Sequence, residues 1–524
     1  MNETKTRRTF LVETGLAGAA LGLPALGRAA PAIITSDASR PVLAQGIQIG
    51  DPAGDRAIVW SRADRPARLW VEWDVSPRFG NPRVVRGPHA LESSDFTARV
   101  DLDELPRDRE IFVRASFEGY DGARSEYSHG RFQAAPLFRR GVRFVWSGDT
   151  AGQGYGINPQ FGGMKIYEAM RQRRPDFFLH SGDTIYADGP IPAELTVEEG
   201  KLWQNLVTPE TSKVAETLDE FRGRYRYNLL DENVRRFNAE VAQLWQWDDH
   251  EVTNNWSASK DLSANANYSE KNVALLTARG TRAFLDYAPL RPHDAQESER
   301  VYRHIPYGCL LDVFVIDMRS YRAANGENLE ATPGGAATFL GQEQLSWLKR
   351  GLRESRAVWK VIAADMPIGL QVADGTNLAG QPVWEAIANG DAGPAAGREL
   401  EIADLLRFIK RHRIQNTVWL TADVHYCAAH HYAPERAAFR DFEPFWEFVG
   451  GPLNAGSFGP NKLDDTFGPE VVFQKFPPTA NASPYAGFQF FGQVDIDERT
   501  AALTVQLVDL NGTTVFTQEL EPRR

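Results

Sequence analysis

The 524-residue sequence predicts an α/β protein in which a small N-terminal β-sandwich precedes a larger layered domain. Three observations support this prediction. Short alternating apolar runs, separated by Gly, Pro and Asp turns, fill residues 39–136 and are typical of a small two-sheet β fold. From residue 141 onward, strand-like apolar runs alternate with helical stretches, which indicates α/β layers. The chain is also too long for one ordinary hydrophobic core.

The N-terminus has the pattern of an export signal. Residues 6–11 read TRRTFL, a short apolar run follows at 15–26, and residues 30–32 read APA, which fits a cleavage site. The apolar run is shorter than the roughly 20 residues that span a bilayer. Residues 1–32 therefore predict a twin-arginine signal peptide, export by the twin-arginine translocase of a bacterium, and a periplasmic or secreted protein. We expect no integral membrane segment after the signal is removed.

Composition and charge narrow the functional classes. Hydrophobic residues make up 42% of the chain and charged residues 24%, which is typical of a globular protein. The formal net charge of -11 argues against a stable complex with nucleic acid. There are only two cysteines, Cys309 and Cys427, and we interpret both as packed thiols rather than as a disulfide scaffold. Pro136 and the basic segment after it mark the predicted boundary, and the second domain is expected over residues 141–522.

Six apolar runs of the second domain share one feature: each ends in an aspartate. In sheets of this type the carboxyl ends of the strands form a common crevice where ligands bind. Several carboxylates at one edge repel each other strongly unless cations neutralise them. The pattern therefore predicts a metal site, and the strand-end residues are Asp149, Asp183, Asp249, Asp317, Asp365 and Asp423.

Three other segments carry local predictions. Residues 216–237 have apolar residues at helical spacing and predict a helix over the sheet. Residues 371–399 are rich in Gly, Ala, Asn and Asp and predict a flexible loop that could form a flap. Near the C-terminus, Asn511-Gly512 lies between two strand-like runs and predicts a hairpin.

Candidate metal ligands other than the strand-end aspartates lie close to them in the sequence. The segment GDTIY at 182–186 places Tyr186 three residues after Asp183, and a phenolate is a hard ligand. The segment TADVH at 421–425 places His425 two residues after Asp423, so both side chains can point the same way. The segment WDDHEVTNNW at 247–256 adds His250 to this set.

Five segments, taken in order, resemble the signature of calcineurin-like metallophosphoesterases. They are SGD (147–149), GDTIY, DDHE (248–251), ADMP (364–367) and ADVH (422–425). WDDHEVTNNW, DMRSYR at 317–322 and the ADVH ending resemble the alkaline phosphatase D (PhoD) branch in particular, over roughly residues 39–520. This resemblance implies a four-layer α/β/β/α sandwich for residues 141–522. It also implies a fibronectin type III-like β-sandwich for residues 39–136.

The resemblance also implies metals and their ligands. Asp149, Asp183, Tyr186 and His425 would hold Fe³⁺, with Asp183 bridging to a second site. That second site would hold Ca²⁺ or another divalent metal on Asp249, Asp365 and Asp423, because oxygen ligands suit Ca²⁺ better than Zn²⁺. The chain departs from the family pattern in having Asp149 where Cys is common, Asp249 where Asn is usual, and Asp365 and Asp423 where His is usual. These departures leave the metal pair open.

The remaining candidate residues would act on the substrate. His250 resembles the family histidine that serves as general acid or phosphate donor. Asn254 or Asn255 could donate hydrogen bonds to the phosphoryl group, and Arg319 and Arg322 are the candidates for phosphate contact.

The function predicted from these residues is hydrolysis of small-molecule phosphomonoesters, phosphodiesters or both, by attack of a metal-activated hydroxide. Two alternatives stand beside it. A phospholipase-type phosphodiesterase would be favoured by an amphipathic interfacial stretch, and the sequence has no convincing one. A non-catalytic binding protein would be favoured by an interrupted ligand set, whereas every ligand position holds a competent side chain.

The twin-arginine pattern gives a prediction for export. Replacing Arg7 and Arg8 with Lys should trap the precursor in the cytoplasm, because that route reads the paired arginines. Immunoblots of cytoplasmic and exported fractions measure this. Normal export of mature protein in a strain without twin-arginine transport would contradict the prediction.

Overall fold

The computed structural model describes residues 37–523, so the predicted signal peptide lies outside the described residues. Six helices are described: α1 (Lys165–Gln172), α2 (Leu218–Asn228), α3 (Glu232–Glu240), α4 (Val273–Tyr287), α5 (Gln342–Glu354) and α6 (Glu399–Arg411). No helix within residues 37–523 has both the length and the apolar character needed to cross a bilayer.

The described residues also contain 24 strands. They are β1 (Ile47–Ala53), β2 (Arg56–Arg62), β3 (Ala67–Asp74), β4 (Arg83–Ala90), β5 (Thr97–Leu102), β6 (Glu110–Glu118), β7 (Ser128–Gln133), β8 (Val142–Ser147), β9 (Phe177–Ser181), β10 (Glu194–Thr196), β11 (Leu202–Gln204), β12 (Ala242–Gln246), β13 (Arg303–Tyr307), β14 (Leu311–Val315), β15 (Trp359–Ala363), β16 (Ala373–Thr376), β17 (Pro382–Trp384), β18 (Thr417–Thr421), β19 (Cys427–Tyr432), β20 (Phe445–Val449), β21 (Pro469–Lys475), β22 (Phe490–Ile496), β23 (Leu503–Asp509) and β24 (Thr514–Leu520).

Two large mixed sheets form the centre of the molecule. The first has nine strands in the order β24-β23-β22-β8-β9-β12-β1-β2-β5, and the second has seven in the order β13-β14-β15-β18-β20-β19-β21. Strands β8, β9 and β12 run parallel, as do β14, β15, β18 and β20. Their carboxyl ends therefore lie at one edge of each sheet.

Alternation of side chains along these strands explains the layers. Phe144 and Trp146 of β8 point into the core between the two sheets, whereas Val145 packs with the helices α1–α4 on the outer face. On the second sheet, Val361 faces the same inter-sheet core and Ile362 packs with α5 and α6. This is the predicted α/β/β/α sandwich, and the fold class is confirmed.

The seven N-terminal strands divide between two sheets, with three strands in one and four in the other. Strands β4-β3-β6-β7 form a sheet of their own, whereas β1, β2 and β5 continue the nine-stranded sheet beyond β12. The junction is the parallel pairing of Gly50 with Gln243, and a Cβ at Gly50 would overlap the Pro289 carbonyl. The N-terminal sandwich therefore shares a sheet with the larger unit. The domain bounds themselves stay a prediction.

Most local predictions agree with the structure, with three differences. The insertion helix is divided into α2 and α3, because the Asp231 carboxylate accepts the amides of Asn233 and Val234 and begins a new helix. The segment 371–399 contains the β16–β17 hairpin. The two cysteines are unpaired, and Cys427 is buried, but Cys309 is exposed, so it is not the packed thiol we expected.

Trp146 joins the two strands that lead to the candidate site. Its indole Nε1 donates to the Thr421 carbonyl of β18 across 3.1 Å, so it ties β8 to β18. A Cβ at Gly492 would overlap the indole ring, so glycine on the neighbouring strand leaves the space that Trp146 fills. Asp149 follows β8 and Asp423 follows β18, so this contact sets their spacing.

We expect Trp146→Phe to lower the free energy of unfolding by about 1–3 kcal/mol, because the Thr421 carbonyl loses one of its two donors and the smaller ring leaves a cavity. It should also weaken metal retention. Trp359→Phe is the matched control: its Nε1 donates to the Ala501 carbonyl across 2.7 Å at the opposite end of the sheet. Urea unfolding and metal content measure both effects. Equal metal loss in the two variants would contradict the role given to Trp146.

Candidate metal centre

Buried acidic side chains converge at the carboxyl ends of β8, β9, β12 and β18. Asp149, Asp183, Asp249 and Asp423 follow these strands, and His425 follows Asp423. Asp149, Asp183, Asp423 and His425 all adopt left-handed backbone conformations, with φ of 65°, 52°, 68° and 61°. Such conformations are uncommon outside glycine and cost about 1–3 kcal/mol each, so the surrounding structure holds these side chains inward against strain.

The first group of candidate ligands consists of Asp149, Asp183 and His425, whose ligand atoms lie within 4.8 Å of one another. The Tyr186 hydroxyl lies 2.8 Å from His425 Nε2, and Asp149 Oδ1 lies 3.4 Å from the same nitrogen. His425 Nδ1 is 2.5 Å from the Gly456 carbonyl, so it donates there and leaves Nε2 for the site. Burial lowers the pKa of His425 to about 4, which keeps the imidazole neutral at pH 7.

A second group shares Asp183 with the first, and a third shares Asp249 with the second. Asp183, Asp249 and His250 form one, and Asp248, Asp249 and Asp423 form the other, each with ligand atoms within 4.8 Å. Asp183 belongs to two groups, as a bridging carboxylate would. Asp249 also belongs to two.

The carboxylates of this site lack the partners that buried charges require. Both oxygens of Asp149, and one oxygen each of Asp183, Asp249, Asp365 and Asp423, are buried without a hydrogen-bond partner within the described residues. Burial raises the pKa of Asp149, Asp183 and Asp423 well above the usual range, and that of Asp365 to about 6. Hard cations would satisfy these oxygens, so the residues present fit a metal centre.

His250 has the opposite electrostatic environment. Burial alone would lower its pKa, but the carboxylates of Asp188, Asp249 and Asp183 outweigh burial and raise it well above the usual value. His250 Nδ1 donates to Asp188 Oδ1 across 2.7 Å, so this carboxylate fixes the orientation of the ring. The Tyr186 and His250 rings lie 4.2 Å apart, so His250 adjoins the first group of ligands.

Comparisons with known proteins identify the family of this chain. The family model described as PhoD-like phosphatase matches residues 144–507. The chain belongs to the PhoD-like phosphatase family. The family's N-terminal domain model matches residues 28–136. Alkaline phosphatase D of Bacillus subtilis (strain 168) is 26% identical over 512 residues, which covers 93% of this chain and 82% of that protein.

Solved structures support the same fold. A structure of PhoD matches with a TM-score of 0.66 at 20% identity, covering 94% of each chain. A purple acid phosphatase, PPD1, from yellow lupin (Lupinus luteus) seeds matches with a TM-score of 0.60 at 13% identity, covering 92% of this chain and 74% of that one. The chain is therefore a phosphatase of the PhoD-like family, and its buried acidic and histidine groups indicate metal cofactors.

Three residues of this PhoD-like site were missed from the sequence. Asp188 holds His250, and its Oδ2 accepts the Asn254 amide at 2.7 Å. Asp248, which precedes the expected ligand Asp249, is itself in a ligand group. Glu251 is buried and accepts amides from Asp183 at 3.2 Å and Asp248 at 2.9 Å. The acidic run DDHE contains Asp248 and Glu251, so the sequence carried a signal for both.

The two arginines expected at the phosphate have other partners in the structure. Arg319 has a fully buried side chain whose Nε donates to Asp248 at 2.6 Å and to Asp365 at 3.3 Å, and whose Nη1 pairs with Glu385. Arg322 donates to the same Glu385 carboxylate at 2.8 Å. Both guanidinium groups are thus neutralised internally. Phosphate contact stays a prediction for each, and these ion pairs argue against it.

The two asparagines differ in exposure, and two of the strand-end aspartates lie outside the ligand groups of the described residues. The Asn254 side chain is exposed, whereas Asn255 donates its amide to Asp374 of the β16–β17 hairpin at 2.9 Å. Asp365 lies beside Arg319 but joins none of the ligand groups of the described residues. Asp317 accepts the backbone amides of Arg319 and Ser320, each at 2.9 Å, and so forms a turn.

We expect Asp188→Asn to lower kcat/KM by roughly 10–100-fold, because a residue that orients an active-site group is typically worth that much. Removing this charge also removes one cause of the raised pKa of His250. If protonated His250 is the active form, the alkaline limb of the pH–rate profile should move to lower pH. The control is Asp374→Asn, which does not contact His250. An unchanged profile for Asp188→Asn would contradict the arrangement.

Proposed function

We propose that this chain is an exported, metal-dependent phosphatase that hydrolyses phosphomonoesters, phosphodiesters or both. The convergence of buried, unpartnered carboxylates with the side chains of His425 and His250 supports this proposal. Membership of the PhoD-like family supports phosphate-ester hydrolysis, and the TRRTFL segment supports export.

We further propose the ligands and metals of the site. Asp149, Asp183, Tyr186 and His425 would hold Fe³⁺, because two carboxylates, a phenolate and an imidazole form a hard ligand set. The second metal would be held by Asp249, Asp365 and Asp423, to which the geometry adds Asp248. Oxygen ligands favour Ca²⁺ there. When bound, such a pair lowers the pKa of a coordinated water and stabilises charge on the phosphoryl group.

The protein groups around the metals have separate tasks. His250, fixed by Asp188 through Nδ1, would carry on Nε2 the proton that goes to the leaving oxygen. The exposed side-chain amide of Asn254 can donate a hydrogen bond to a non-bridging phosphate oxygen. Arg319 balances Asp248 and Asp365, so fewer uncompensated charges remain for the cations to neutralise.

We expect Asp183→Ala to abolish turnover, because it removes the carboxylate shared between two ligand groups. Assays with a monoester, a diester and a phospholipid measure activity and separate the proposed substrates. Asp317→Asn is the matched control, a strand-end aspartate that only forms a turn. Activity of Asp183→Ala within about tenfold of wild type, equivalent to about 1.4 kcal/mol, would reject the two-metal assignment.

We expect Tyr186→Phe to bleach a visible absorption band and to weaken iron retention without unfolding the protein. The reason is that ferric iron prefers phenolate oxygen and the pair absorbs by charge transfer. Absorption spectra, iron content and thermal unfolding of the exported protein measure this. A colourless, fully active wild type with only Zn or Mn would reject iron. A coloured Tyr186→Phe variant would instead show that this tyrosine is not the ligand.

A further inference from the structure

A polar cavity lies at the opposite end of the sheets from the metal centre. It has a volume of about 580 Å³ and is bordered by the starts of β15 and β18, the ends of α5 and α6, and the β22–β23 turn. The metal centre lies beyond the carboxyl ends of the same strands. A five-residue strand is roughly 17 Å long, so the cavity is separate from the proposed catalytic site.

The cavity is lined by six basic side chains and by no carboxylate: Arg139, Arg353, Lys360, Arg413, Arg499 and Arg523. This is unusual in a chain with 69 acidic and 58 basic residues. Charges of one sign in a cleft raise the local concentration of counter-ions, so this cavity attracts anions although the protein as a whole repels them.

Two of the lining arginines lie near exposed carboxylates. Arg353 lies 3.8 Å from Glu354 and Arg523 lies 3.6 Å from Glu443, and all four side chains are at least half exposed. Exposed ion pairs of this kind contribute little free energy, because water and salt screen the two charges. No side-chain hydrogen bond or ion pair of Arg413 is present within residues 37–523, whereas the charge of Arg499 acts on the exposed Asp497.

Lys360 makes the cavity more than a patch of surface charge. It is only 9% exposed, and its Nζ lies 3.4 Å from the carbonyls of Val358 and Gln415, a long distance for both contacts. Asp312 lies opposite Lys360 in the register of β14 and β15. Its carboxylate accepts the Ser355 hydroxyl at 2.6 Å. A buried ammonium with two long contacts is poorly satisfied, and an anion in the cavity would supply a stronger partner.

We propose that this cavity is a binding site for a phosphate-bearing anion, separate from the catalytic centre. Guanidinium groups match phosphate oxygens in pairs, and Lys360 supplies a point charge at the base. The phosphate could be free in solution or be the headgroup of an anionic lipid. Leu137 and Phe138, which are 53% and 72% exposed, directly precede Arg139 and would contact the acyl region if the source is a lipid.

The test uses the metal-loaded enzyme and two charge-matched double variants. Arg413→Glu/Arg499→Glu changes the cavity, and Arg350→Glu/Arg411→Glu changes exposed arginines of α5 and α6 outside it. Equilibrium dialysis with inorganic phosphate measures soluble binding, and sedimentation with phosphatidylglycerol or phosphatidylcholine vesicles measures lipid binding. Hydrolysis of a phosphate ester is assayed in parallel.

We call Arg413→Glu/Arg499→Glu the cavity pair and Arg350→Glu/Arg411→Glu the control pair. If the ligand is free phosphate, we expect wild type and the control pair to bind one more phosphate per chain than the cavity pair. If it is a lipid headgroup, we expect both to sediment with phosphatidylglycerol vesicles when the cavity pair does not. Affinity at this site should fall at least about tenfold in the cavity pair, with kcat/KM unchanged. Binding in neither arm, or equal binding by both pairs, would overturn the proposal. Because the comparison is between the two pairs, loss of ester hydrolysis in wild type would count against the proposed function alone.

Discussion

Electrostatic repulsion among buried carboxylates is the constraint on which the site and much of the fold depend. Asp149, Asp183, Asp249 and Asp423 lie close together at the strand ends, and several of their oxygens have no partner among the described residues. Burial raises the pKa of Asp149, Asp183 and Asp423. An aspartate whose pKa is higher in the folded state destabilises that state as the pH rises above the unfolded value. Cations that bind only the folded site reverse this cost.

The surrounding structure resists this repulsion with contacts that hold the strand ends. Trp146 ties β8 to β18, and Glu251 accepts amides from the residues that follow β9 and β12. Arg319 and Arg322 place two positive charges behind the site and share Glu385, which follows the β16–β17 hairpin directly. The hairpin is therefore linked to the ligands through Glu385, Arg319 and Asp248, although its sequence suggested only a flexible loop.

The sequence was most informative where a pattern had one physical cause. Apolar runs that end in aspartate predicted all six strands correctly, because buried parallel strands require such runs and their carboxyl ends share an edge. It was less informative where function depends on side-chain contacts between distant segments. Asp188 carries no signal in its own segment, and only the fold places it 2.7 Å from His250. The ion pairs of Arg319 and Arg322 with Glu385, more than 60 residues away, could not be inferred from the local segment.

The position of Arg319 has a consequence for the second metal. Asp248 and Asp365 both accept hydrogen bonds from its Nε, so a cation that used either carboxylate would compete with a buried guanidinium. Asp249 and Asp423 make no contact with Arg319 and are the less encumbered ligands. A large cation with flexible coordination, such as Ca²⁺, would bind mainly through Asp249 and Asp423 and would tolerate longer contacts to Asp248 and Asp365, so the Arg319 ion pairs could persist. A small cation with strict geometry would require Asp248 or Asp365 to turn away from Arg319, and would leave that buried charge partly unpaired.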